Sequence, residues 1–426
     1  MDNELKIVKD EYKSSRVLYI LEATLEYFIS LMVAGAYLAK LTSAIGLSDS
    51  FTGILSSLVS LGCGFQIFAL LFAGRKSVKR TVTIFHSINQ LFFALIYFVP
   101  FFNLSIKVKS LIFTALLLIG HALNNVIHAP KINWYMSLVD DHKRGRFTAN
   151  KEIVSLISGV VFTTTMGAVI DEFERVGNLY GSFIFCGVGV FLLVLSHSLT
   201  LIFSKEKELP STAPTVNLKN NVKQVLKDKT ILKIILVSVI WHIATYASTP
   251  FYGTYIVKEL GFSMLLVSII SAIGAFSRAS FSRPFGKFAD KRSFASLINL
   301  CFIFELFAFL IKAFVAPKTK YLYIVYVVLY SIGIAGINSG TINLIYDYVS
   351  HERRTSALAL QNTVTGLTGF LTTLVASRLV EKIQLNNNSF LGLNLYAQQV
   401  VTMISVAVLI VEIIYINLVV KKINRN

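Results

Sequence analysis

Apolar residues run through the chain in blocks of spanning length, separated by short polar stretches. The blocks occupy roughly 17–44, 51–73, 81–102, 109–139, 147–170 and 179–203, and then 230–257, 262–282, 294–316, 320–349, 355–380 and 396–420. About 20 mostly apolar residues in a helix cross the hydrocarbon core of a bilayer, so the pattern predicts twelve transmembrane helices. Between the sixth and seventh lies a polar stretch with Pro210, Pro214 and several lysines. The predicted organisation is a polar N-terminus (1–16), a six-helix bundle (17–203), a linker (204–229), a second six-helix bundle (230–420) and a short tail (421–426). The fold class is an all-α membrane protein.

Composition agrees with this pattern. Of 426 residues, 54% are hydrophobic and only 15% are charged, where a soluble domain carries about 25% charged residues. A soluble enzyme, a disordered chain and a coiled coil are excluded. The chain has 40 Lys+Arg against 23 Asp+Glu, a net charge of +17. In a soluble protein that excess would suggest nucleic acid. Here it sorts by loop. Basic residues gather at the N-terminus (Lys6, Lys9, Lys13, Arg16), after span 2 (Arg75, Lys76, Lys79, Arg80) and after span 4 (Lys143, Arg144, Arg146). They gather again in the linker, after span 8 (Arg283, Lys287, Lys291, Arg292), after span 10 (Arg353, Arg354) and in the tail (Lys421, Lys422, Arg425). These loops all fall on one side of the membrane, and cytoplasmic loops are the ones that collect Lys and Arg. Both termini and the linker are therefore expected in the cytoplasm, the setting being a bacterial cell membrane, with no nucleic-acid partner. Met1 to Arg16 is polar and of mixed charge, unlike a cleavable signal peptide. Cys63, Cys186 and Cys301 sit far apart in apolar blocks, which is neither a disulfide framework nor a metal site. No cofactor is expected.

The two halves look like a parallel duplication. Sliding the chain so that Gly46-Leu47-Ser48 falls on Gly261-Phe262-Ser263 also lays Arg75-Lys76 on Asp290-Lys291. A slightly shorter slide lays Asn133 on Asn343, Arg144 on Arg354, Gly159 on Gly369 and Asp171 on Glu381 without a gap. The loop after span 8, Gly286-Lys287-Phe288-Ala289-Asp290-Lys291-Arg292-Ser293, resembles the Gly-x-x-Ala-Asp-Arg/Lys-x-Gly/Ser signature of the major facilitator superfamily. The corresponding first-half loop is degenerate, with Arg75 where the family has Asp. The resemblance implies two pseudo-symmetric six-helix bundles and a conformational latch at the cytoplasmic face. Gly286 would let helices approach, and Asp290 would pair with Arg353 or Arg354. In the first half the signs are exchanged, so that Arg75 would meet Asp140 or Asp141. A static charge cluster is the competing reading of these residues. Subfamily marks are missing: span 5 lacks Gly-Pro-x-x-Gly-Gly, span 4 lacks Arg-x-x-x-Gln-Gly, and the linker lacks Pro-Glu-Ser.

An ionisable residue at lipid depth costs about 2.5–3.5 kcal/mol and is a functional candidate by default. The family implies that spans 1, 4, 7 and 10 line the central cavity. Span 1 carries Glu22 and Glu26 on one helix face. Span 4 carries His128 and Lys131. At 1.5 Å per residue, Glu26 and Lys131 both lie about 12–13 Å from the cytoplasmic end, at a common level where they can pair. Glu22 lies nearer the interface, where it is expected to snorkel. The pair reads either as a coupling or substrate site, taking up a proton or a cationic group, or as a structural tie between spans 1 and 4. In the second half the corresponding positions are aromatic and amide: Trp241, His242, Asn338, Asn343 and Tyr346 could contact a substrate or simply pack. Arg278 and Glu305 are the other embedded charges, and Lys312 is expected to snorkel at an outer end. No Walker loop, Gly-x-Ser-x-Gly elbow or Cys-x-x-Cys occurs, so no catalytic chemistry is expected. The function this supports is secondary transport of a small solute by alternating access, with proton coupling through Glu26 or Glu22, by a monomer in the lipid bilayer. An uncoupled facilitator and a transporter-derived sensor or lipid-handling protein are the alternatives.

Overall fold

The computed structural model describes residues 10–72, 77–140, 143–207 and 224–423. Eleven helices are long and apolar enough to cross a membrane, and a twelfth span is formed by two helices bent by 43°. Span 1 is that bent pair, Lys13–Met32 and Gly35–Ala44. Spans 2 to 6 begin or run at Asp49–Cys63, Lys79–Leu95, Ile106–Met136, Arg144–Arg175 and Leu179–Phe203. Span 7 is Lys229–Ser248 continued by a short 3₁₀ turn, Thr249–Phe251, and Tyr252–Lys258. Spans 8 to 12 are Met264–Lys291, Phe294–Ala313, Leu322–Tyr348, His351–Leu385 and Ala397–Leu418. A two-residue hairpin, Ser389–Phe390 with Leu393–Asn394, joins the last two.

The buried cores segregate by half. One gathers Ile29, Leu55, Phe93, Leu117, Ile170 and Val190 with their neighbours, joined from the second half by buried Met264 and by Val257, Val267 and Phe370 at its edge. Another gathers Ile234, Trp241, Phe285, Cys301, Phe309, Ile337 and Leu409. The duplicated Gly-x-Ser has a physical cause. Gly46 and Gly261 take φ of +80° and +62°, which only glycine adopts freely. Two residues on, Ser48 and Ser263 cap spans 2 and 8 by accepting from Phe51 N–H and Leu266 N–H, each at 3.2 Å.

The breaks in spans 1 and 7 are also equivalent, since the same slide lays Gly35 on Pro250. Gly35 has φ +53°, and Pro250 can donate no hydrogen bond to the helix. Their outer segments meet: a Cβ on Gly253 would lie 2.7 Å from the Gly35 carbonyl. Cross-half hydrogen bonds crowd at this same face, the one remote from the termini. Lys258 Nζ lies 2.6 Å from Asp49 Oδ1, and Gln384 Nε2 donates to Asp49 Oδ2 at 2.9 Å. Asp171 of span 5 accepts from Met264 N–H and Leu265 N–H, both at 2.8 Å, so it caps span 8 across the interface. Ser268 of span 8 donates to the Thr163 carbonyl of span 5 at 2.9 Å. At the terminus face the partners of span 8 withdraw: residues 279–284 are exposed all round the helix, as are 148–150 of span 5. Replacing Gly253 with valine should drive spans 1 and 7 apart. We expect overpacking strain of about 1–3 kcal/mol, visible as a lower thermal unfolding midpoint, and no such loss for Gly189→Ala, where a Cβ meets nothing within 4 Å.

Candidate functional site

Span 1 faces spans 3, 4 and 6 through a cluster of buried ionisable groups. Glu22 is fully buried, Lys131 is 3% exposed, and His86 of span 3 and His197 of span 6 are fully buried. Lys131 Nζ stands 2.5 Å from Glu26 Oε2, 3.0 Å from Glu22 Oε1 and 2.8 Å from His86 Nε2. His86 Nε2 and His197 Nε2 each stand 3.0 Å from Glu22 Oε1. The two imidazoles meet edge to face, with ring centroids 4.5 Å apart. Tyr19 and Tyr135 stack 4.1 Å apart in the neighbouring core. Glu22 Oε2 and His197 Nδ1 have no hydrogen-bond partner among the described residues.

This differs from the sequence expectation in three ways. Glu22 does not snorkel; it is the centre of the cluster, because two histidines that the sequence reading passed over enclose it. Lys312 does not snorkel either: it is fully buried, held by Ser248 Oγ at 3.2 Å and Thr249 Oγ1 at 3.3 Å and capped by the Tyr252 ring at 3.9 Å. His128 is exposed beside the cluster and makes no hydrogen bond or ion pair with it among the described residues, although it precedes Lys131 by less than one turn.

Two cavities lie between the halves. The first, about 460 Å³, is lined by Glu26, Tyr27, Gln90, His121 and Asn124 with Ser268 and Ser271 of span 8. Glu26, with a side chain 21% exposed, is the cluster member that reaches it. The second, about 640 Å³, is lined by Gln66, Trp241, His242, Tyr246, Asn338 and Asn362. His242 Nδ1 lies 2.7 Å from the Ser238 carbonyl and so carries the proton there, while its ring stacks on Tyr246. Asn343 and Tyr346 line neither cavity. Tyr346 is 45% exposed, under the Arg354 guanidinium at 4.9 Å.

The second-half residues of the expected latch do not pair with one another in this structure. Arg75 and Asp141 lie outside the described residues. Asp290 is exposed and forms no ion pair among the described residues. Gly286 faces open space rather than a neighbouring helix. Arg353 instead meets Asp228 at 3.3 Å, Arg354 donates to the Tyr346 carbonyl at 2.8 Å, and Asp140 meets Lys143 at 2.8 Å.

Glu22, His86 and His197 bring donor atoms within 4.8 Å of one another, a spacing that could hold a metal ion. The Lys131 ammonium bonds to two of these side chains, so a cation of the chain's own already occupies the cluster.

Residues 21–373 match the sequence profile of the Major Facilitator Superfamily. The chain belongs to that family. It is a multi-pass membrane transporter and not an enzyme. Among solved structures it is similar to the nucleoside transporter NupG, at 16% identity over 96% of this chain and 99% of that one, with a TM-score of 0.69. It is similar to a D-xylose–proton symporter at 13% identity, over 94% and 96% of the two chains, with a TM-score of 0.68. A bacterial homologue of the iron transporter ferroportin in its inward-facing state matches at 14% identity over 95% and 97%, with a TM-score of 0.68. In its outward-facing state the same homologue matches with 0.59. No curated protein matches the chain in sequence.

Removing one partner of a buried ion pair leaves an uncompensated charge and costs about 3–5 kcal/mol. Lys131→Met strands two carboxylates and should show that full loss in thermal unfolding. Glu26→Gln should cost clearly less, because Lys131 keeps Glu22. Equal losses would mean that the ammonium is not what holds the cluster.

Proposed function

We propose that the chain is a secondary active transporter that moves a small polar solute across a bacterial cell membrane by alternating access, coupled to protons through the cluster around Glu22 and Glu26. The observation that carries the reading is that cluster: several ionisable groups at lipid depth, sealed from water except where Glu26 opens into the central cavity. A structural tie needs no such opening. The likeness to a proton symporter adds support at the level of fold alone.

The side rich in Lys and Arg is the cytoplasm, with both termini there. On that orientation the face closed by Asp49, Asp171, Lys258 and Gln384 is external, and the structure is inward-facing. The better match to the inward-facing neighbour than to its outward-facing form agrees. In the outward-facing state the external bonds break, and Asp290 and Gly286 close on Arg353 and Arg354. Cavities of about 460 and 640 Å³ suit a small molecule. Their walls offer amide and aromatic groups from Gln90, Asn124, Trp241, His242 and Asn338, which would hydrogen-bond and stack on an uncharged polar solute.

Ser271 lines the first cavity and tests state and orientation together. Ser271→Cys, in a background lacking the native cysteines, should react with a membrane-impermeant maleimide in inverted vesicles at least about tenfold faster than in right-side-out vesicles. Adding Asp171→Asn, which removes the charged cap on span 8, should raise the right-side-out rate. Fast labelling from the external side in the parent would overturn the inward-facing assignment.

A further inference from the structure

Charge counting singles out one atom of the cluster. Two carboxylates face one ammonium, so with both histidines neutral the buried group carries one uncompensated negative charge, and a single added proton makes it neutral. The hydrogen bonds show where that proton goes. Asn89 Nδ2 points to the Gly120 carbonyl at 3.5 Å, which turns Asn89 Oδ1 toward His86 Nδ1 at 2.9 Å. An amide oxygen only accepts, so His86 Nδ1 carries a hydrogen. His86 Nε2 is then the position that varies. It lies 2.8 Å from Lys131 Nζ, a donor, and 3.0 Å from Glu22 Oε1, an acceptor. Unprotonated, Nε2 satisfies Lys131, whose three N–H groups match three acceptors: Glu22 Oε1, Glu26 Oε2 and Nε2 itself. Its lone pair then faces a carboxylate oxygen. Protonated, Nε2 donates to Glu22 and faces Glu26 Oε1 at 3.6 Å, but it becomes a donor opposed to the Lys131 ammonium. No one protonation state satisfies both neighbours.

We propose that His86 is the proton-binding residue of the cluster and that its protonation disengages Lys131. The proton enters from the cavity past Glu26 and takes the Nε2 lone pair. The Lys131 N–H bond to Nε2 breaks and an Nε2–H bond to Glu22 forms, with no other group changing its proton count. Lys131 then keeps its two carboxylates on span 1 and loses its tie to span 3, so that spans 1 and 4 can shift together against span 3. The groups facing His86 are Glu22 and Glu26 from span 1, Lys131 from span 4 and His197 from span 6; His128 of span 4 is exposed beside them. This rests on the proton-coupled reading above and moves the proton from the carboxylates to an imidazole. Histidine suits the role because its ordinary titration falls near neutral pH.

The test is a ring-nitrogen NMR titration of the full chain, labelled with ¹⁵N-histidine, in lipid bilayers. The expected result is one imidazole passing from the neutral Nδ1–H form to imidazolium between about pH 8 and pH 5, its signals absent in His86→Gln. In Glu26→Gln, where the cluster is neutral without a proton, the same ring stays neutral over the range. If His86→Gln fails to accumulate, a chain with His121, His128, His142, His242 and His351 replaced by glutamine leaves only the two cluster rings in the spectrum. A His86 ring that keeps a single protonation state from pH 8 to pH 5 overturns the inference. Coupling is read separately, from the pH dependence of maleimide labelling at Ser271→Cys. Labelling that is flat in pH while His86 titrates removes the coupling and leaves the proton site. Labelling that changes with pH while His86 does not titrate returns the proton to the carboxylates.

Discussion

The first half of this protein is organised by the cost of taking charge out of water. A carboxylate or ammonium moved into protein at lipid depth loses several kilocalories of solvation per mole, and close, well-directed partners must return it. Glu22 sits at the point where spans 1, 3, 4 and 6 converge, and each neighbouring span supplies a partner: Lys131, His86 and His197 all within 3.0 Å of the cluster's oxygens or of one another. Four helices are thereby held in one register by directional bonds, where apolar packing alone would tolerate sliding. The same bonds make that register sensitive to any change of a single proton.

The second constraint is closure at one face. Spans 1 and 7 break at equivalent positions, Gly35 and Pro250, and the outer segments beyond the breaks lean together until backbones touch. Two of the polar contacts that seal this face use Asp49, and two use Asp171 against free N–H groups of span 8. A helix N-terminus is a modest partner, of order 0.3–1 kcal/mol when exposed. Under the proposed reading, a seal built from a few such contacts defines one state and is weak enough to be exchanged for another set at the opposite face. That is the energetic form alternating access requires: two closures of similar strength, never both made.

Much of this was legible in the sequence, and the part that was not has a definite cause. The all-α membrane fold and its eleven or twelve spans follow from block length, because bilayer thickness leaves little latitude, while the six-and-six division and the sidedness of charge remain expectations from the same blocks and loops. The level shared by Glu26 and Lys131 follows from helical rise alone. The placement of Glu22 did not follow, because depth was counted from the helix end while partners on other spans were ignored. Applying the insertion cost evenly would have flagged His86 and His197, which are also ionisable residues at lipid depth. Neither lies on spans 1, 4, 7 or 10, which the family resemblance implies as cavity walls, and a neutral histidine in an apolar block carries no formal charge to mark it. Asn343 and Tyr346 were nominated by helix alone, and one helix presents several faces. Gly286 and Asp290 have no close partner among the described residues, and only under the proposed reading would their closure belong to an outward-facing state.

The duplication makes the asymmetry between halves informative. The slide that lays Gly46 on Gly261 lays Glu22 on Val237, Glu26 on Trp241, His86 on Cys301 and His197 on Glu412. Three of these four positions have become apolar or aromatic, and Trp241 packs on Phe302 with ring centroids 5.3 Å apart. The fourth, Glu412, is buried with neither carboxylate oxygen bonded among the described residues. One half thus links its buried ionisable groups into an ion-paired cluster, whereas the other packs rings where the cluster would lie and buries Glu305, Lys312 and Glu412 without a salt bridge among the described residues, within one backbone plan. Ring packing has no protonation state and holds its shape over the physiological range of pH, whereas an ion-pair cluster does not. Under the proposed reading, the second half is the rigid wall that recognises the solute, and the first half is the part whose internal register a proton can change. A carrier with two identical halves would rearrange both at once. Under the same reading, placing the ion-paired cluster in one half gives the rocking motion a reference in the other against which to move.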